Sequence, residues 1–66
     1  MLTYYTIDVN KDRKPLNGWL DITKSFSRDM ILEREEAVYC AMMYIKSHKD
    51  DGVRVLRHDE TVIKEW

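Results

Sequence analysis

One cysteine, Cys40, stands among the 66 residues, so no disulfide can close within the chain. Glycine occurs only at Gly18 and Gly52, which leaves no glycine-rich cradle for a phosphate and no Gly-x-Ser-x-Gly elbow for a nucleophile. No hydrophobic run is long: the longest uncharged stretch, Ala37 to Ile45, has nine residues, against the ~20 needed to cross a bilayer. Neither sign of charge dominates. Eleven Lys+Arg against twelve Asp+Glu give a formal net charge of −1, so the basic excess usual in nucleic-acid binders is missing. The start, Met1-Leu2-Thr3-Tyr4-Tyr5, has none of the basic, long apolar and small-residue regions of a secretory signal. Together with four methionines and a lone cysteine, this points to a soluble, cytoplasmic chain that begins at its own initiator Met and forms one domain over residues 1–66.

What is present reads as globular: 44% hydrophobic and 35% charged residues. A chain this short buries roughly 60% of the surface its unfolded form exposes. Its core leaves only ~3–5 kcal/mol of net stability. With no staple available, self-association is expected to help.

Alternation predicts a first strand over Leu2 to Val9, with Tyr5, Ile7 and Val9 on one face and Tyr4, Thr6 and Asp8 on the other. Asn10 to Gly18 is a polar connection punctuated by Pro15 and Asn17-Gly18, which favours positive φ. Trp19 to about Phe26 alternates as a second strand, with Lys24 marking an edge or its end. A helix follows, capped by Ser27 or Asp29, although Met30-Ile31-Leu32 also suits extended chain. Its core stripe is read as Ile31, Val38, Met42 and Ile45, widened by Leu32, Cys40 and Ala41. Glu33, Glu35 and Glu36 suit its positive end, and Lys46, His48 and Lys49 its negative end. Gly52 is a candidate left-handed stop. Val53 to Arg57 and Thr61 to Trp66 form a closing hairpin. The expected architecture is a small two-layer α+β domain in ββαββ order, an antiparallel sheet with one helix packed on one face.

Few residue groups carry chemistry. Asp8-x-Asn10-x-Asp12 opens like a calcium loop, but Arg13 stands where the sharp turn needs Gly and Trp19 where a bidentate carboxylate belongs. Cys40, His48 and His58 are the only soft metal ligands, and the first two lie ~12 Å apart along one helix. That separation also forbids a Cys40–His48 nucleophile pair. Cys40 with His58 depends on the fold, and Cys40 otherwise reads as a small buried thiol. The acid pairs Glu33/Glu36 and Asp50/Asp51 read as solvated surface. Accordingly no enzyme, cofactor or metal is expected.

Two readings remain for recognition. The aromatic and methionine residues outnumber what one helix on four short strands can hide. Tyr4, Trp19, Tyr39, Met43 and Trp66 are therefore candidate protein-binding residues, with Tyr39 and Met43 forming one patch at helical spacing. Open sheet edges add a second means of docking. The expected function is a non-enzymatic module that binds another protein, in the manner of a phage- or mobile-element-type inhibitor of a host factor. A small structural homodimer is an alternative. The other alternative is nucleic-acid binding by Lys11, Arg13 and Lys14 on the first loop and Arg54 and Arg57 on the last hairpin, diluted by neighbouring acids. No membrane partner is expected.

Overall fold

A computed structural model describes residues 2–66. Four strands form one antiparallel sheet in the order β2-β1-β3-β4: β1 is Tyr5–Asn10, β2 Leu20–Asp21, β3 Gly52–Arg57 and β4 Val62–Glu65. The single helix, α1, is Arg34–Ser47 and packs on one face of the sheet. The expected α+β architecture and its ββαββ order are present. β1 and β3 are the two central strands, registered from Tyr5 opposite Arg57 to Asn10 opposite Gly52. Their apolar alternation sets the core: Ile7, Val9, Val53 and Val55 are buried with Ile31, Ala37 and Ala41. Tyr5, Phe26, Tyr44, Ile45, Ile63 and Trp66 pack around them.

Several local expectations are corrected. β1 starts at Tyr5 and runs to Asn10, not Leu2 to Val9. The connection after it is two short 3-10 turns, Lys11–Arg13 and Pro15–Asn17, and Gly18 does take positive φ (65°). The second strand ends at Asp21 instead of continuing to Phe26. The Asp21 carboxylate accepts the N–H and the hydroxyl of Thr23 and turns the chain into a 3-10 segment, Thr23–Ser25. A short acceptor two residues upstream offers the backbone a local partner in place of the ladder. The Thr23 hydroxyl then accepts the Ile7 N–H at 2.9 Å, in the position a further strand residue would have filled.

Neither Ser27 nor Asp29 caps the helix. Residues 30–32 stay extended because Tyr5 donates its N–H to the Ile31 carbonyl at 2.8 Å. The helix therefore begins at Arg34, with Glu33 at the N-cap making no side-chain cap bond. It ends at His48, whose N–H reaches the Tyr44 and Ile45 carbonyls and whose ring stacks on Tyr44 at 3.9 Å. Gly52 is not the stop: it is the first residue of β3 and has no positive φ. Its missing side chain leaves room for the Trp19 ring, which lies 3.4 Å from where a Cβ would stand.

The largest correction concerns the phase of the helix. Ala37 and Ala41 are fully buried, whereas Met42 and Leu32 are half exposed. Small side chains face the sheet, which lets the helix lie close to it, and the methionines turn outward. Asp51 is also misread as solvated. It is 5% exposed and accepts the Asp12 N–H at 2.9 Å and the Tyr44 hydroxyl at 2.8 Å. One carboxylate thus ties the first loop, the helix and the start of β3 together.

Candidate functional site

The aromatic and methionine candidates do not converge on one surface. Tyr39 and Met43 sit on the outer face of α1, 65% and 44% exposed, joined by Met42 at 50%. At 3.6 residues per turn these three fall opposite Ala37 and Ala41, with Glu35 one turn before them and Lys46 one turn after. Sequence reasoning placed Met42 in the core. The signal it lacked was the Ala37/Ala41 pair, which marks the side of closest approach to the sheet.

Tyr4 and Trp19 belong to the opposite, open face of the sheet. Tyr4 packs beside His58, ring centroids 5.4 Å apart. The Arg54 guanidinium lies 4.2 Å over the centre of the Trp19 ring and 3.2 Å from the Asp8 carboxylate. Burial pushes the Asp8 carboxyl above its ordinary value, and Arg54 opposes that rise. This stack is a satisfied cation–π and ion-pair cluster. Trp66 is half buried, packed against the core from the end of β4, with its N–H on the Val53 carbonyl.

The basic candidates divide as well. Lys11, Arg13 and Lys14 are exposed on the first loop. Arg54 is committed to Asp8 and Trp19. Arg57 forms a 2.9 Å ion pair with Asp59, whose carboxyl is held far below its usual range by Arg57 and Thr61. Two of the five cations therefore arrive already neutralised.

Cys40 is half buried against the core on the helix side, and burial pushes its thiol up, reinforced by Glu36. A raised thiol holds less thiolate, the reactive form. His58 lines the open face with Tyr4, Thr6 and Leu56, so the sheet separates it from Cys40. Among the described residues, no group of three or more His, Cys, Asp or Glu side chains could hold a metal ion. No helix among them is long and apolar enough to cross a membrane.

One further feature escaped the sequence reading. Where β2 stops short, a groove of about 540 Å³ opens along β1, lined by Tyr4, Tyr5, Ile22 and the exposed Leu20 and Met30, with Lys24, Arg28 and Asp29 among its polar residues. Its volume lies within the ~300–1,000 Å³ of ordinary ligand clefts. The Thr23 hydroxyl in its wall donates to the Asp21 carboxylate and accepts the Ile7 N–H.

Comparison of the chain with protein-family models, curated proteins and solved structures found no match.

Proposed function

We propose that this protein is a non-enzymatic interaction module that docks another protein chain on the outer face of α1. One observation carries the reading: Tyr39, Met42 and Met43 are contiguous and solvent-exposed on a helix whose fully buried residues are Ala37 and Ala41. Large apolar side chains facing water in place of the core are what an interface leaves on a free subunit. Action by occupying a surface is also the mode expected of a phage- or mobile-element-type inhibitor of a host factor.

The test compares tagged wild type with a Tyr39→Glu/Met43→Glu variant. Each is used to capture partners from native-host lysate with and without nuclease treatment, and to capture an untagged copy of the same protein. Both substitutions are at exposed positions, so circular dichroism should show the helix retained. Wild type should retain a stoichiometric protein, or its own copy, that the variant binds at least about tenfold less, since buried interface charge costs several kcal/mol. Equal capture by both proteins defeats the reading. Loss of every captured species on nuclease treatment transfers the function to Lys11, Arg13 and Lys14.

A further inference from the structure

We infer that the chain docked on the outer face of α1 is a second copy of this protein, packed antiparallel about a two-fold axis. This inference rests on the interaction-module reading and names its partner. The face has a polarity along its length. Glu35 and Glu36 lie at its N-terminal end, Tyr39, Met42 and Met43 in its middle, and Lys46 at its C-terminal end. Glu35 and Lys46 are eleven residues apart, or about 16 Å along the axis. Two-fold symmetry requires a surface that complements itself. An axis passing near residues 40–41 satisfies that requirement at every level. It sets Tyr39 against Met42 and Met43 of the second copy. It also sets Glu35 and Glu36 against Lys46 of the second copy, and the reverse. Parallel packing would place acid on acid and base on base.

Acids early and bases late also suit the helix dipole. The dipole acts within one chain, however, and only an antiparallel partner makes the two ends answer each other across an interface. The apolar patch is small beside the ~800 Å² per partner of a standard interface, so association is read at concentrations up to about 1 mM.

The experiment is sedimentation equilibrium on wild type and two charge variants, Lys46→Glu and Glu35→Lys/Glu36→Lys, alone and mixed. Wild type should be a concentration-dependent dimer. Each variant alone should dimerise at least about tenfold more weakly, because like charges then face each other at both ends. An equimolar mixture should recover dimerisation, since the variant with acid at both ends meets one with base at both ends. Circular dichroism confirms equal helix content. A wild type that stays monomeric throughout overturns the inference, as does a dimer indifferent to these charges or a mixture that recovers nothing. If wild type is monomeric while Tyr39→Glu/Met43→Glu still abolishes capture of a host protein, the docking face stands and the second copy is excluded as its occupant. If neither lysate protein nor second copy depends on Tyr39 and Met43, both readings fall.

Discussion

Asp51→Ala lowers stability by about 3 kcal/mol, and the melting midpoint by on the order of 10 °C. The side chain is almost wholly buried and accepts two hydrogen bonds, from the Asp12 N–H and the Tyr44 hydroxyl. Hydrogen bonds to a charged group each contribute roughly 1.5–3 kcal/mol, and the substitution removes two of them. Asp12 is also held at positive φ (56°) in the first loop, and the Asp51 contact fixes it there. In a domain with ~3–5 kcal/mol to lose, this single change brings the chain close to half unfolded. A midpoint unchanged within about 2 °C would show that the carboxylate ties nothing together.

The same group gives stability a pH dependence. The Asp12 N–H, then the Tyr44 hydroxyl, hold the Asp51 carboxyl below its ordinary value near 3.8. A depressed acid contributes stability that is fully present above its unfolded pKa and is lost as pH falls through the folded value. Asp59, also depressed, acts with the same sign, and Asp8, raised by burial, with the opposite sign. The informative quantity is therefore the difference between wild type and Asp51→Asn. Wild type should lose its advantage as pH falls below about 3.8. At the alkaline end Tyr44 is pushed up to about 12 by burial and by Asp51. Its contribution is present below pH 10 and is lost as pH rises toward 12.

Thr23→Val is the second large effect, at about 2 kcal/mol. The two side chains have nearly the same shape, so packing is preserved and the hydroxyl alone is removed. Its loss leaves the buried Ile7 N–H in the middle of β1 without its acceptor, at the full cost of desolvating a peptide donor. Thr23→Ser keeps the acceptor and should recover most of the loss in a urea titration. If Val and Ser variants unfold together, the hydroxyl is not what completes the β1 edge.

The ββαββ order was legible because β-branched and aromatic alternation is local, as in Tyr5, Ile7 and Val9 or Val53 and Val55. The truncation of β2 was not. Trp19 to Phe26 alternates well enough for a strand, and the Asp21–Thr23 turn that ends it depends on one side chain choosing a local N–H. The helix phase failed for a tertiary reason. Methionine outranks alanine in hydrophobicity, which favours Met42 inward, but the helix sets Ala37 and Ala41 against the sheet with Val38, Tyr44 and Ile45 packed around them and leaves Met42 outside. Asp50-Asp51 reads as a solvated pair because the partners of Asp51 come from 39 and 7 residues away. Tyr39 and Met43 were found as an exposed pair because they lie one turn apart on one face. Trp66 reads from sequence as part of a binding surface, whereas the hairpin carries it back onto the core.

The position of β1 governs when this chain can fold. It leaves the ribosome before the other strands of this sheet, yet its long ladder is with β3, which ends at Arg57. Its other edge is shorter, held by Leu20 and Asp21, the Ile22 N–H, the Thr23 hydroxyl and the Ile31 bridge. Until β3 is made, β1 lacks its long ladder, while the β3–β4 hairpin can close within ~1–10 μs once it emerges. The central ladder then has to close across nearly the whole sequence, the kind of long-range pairing that slows folding. A chain stalled before residue 52 should therefore remain open to protease, and one extended past β4 should become resistant in a single late step. The strand made first is the last to be secured.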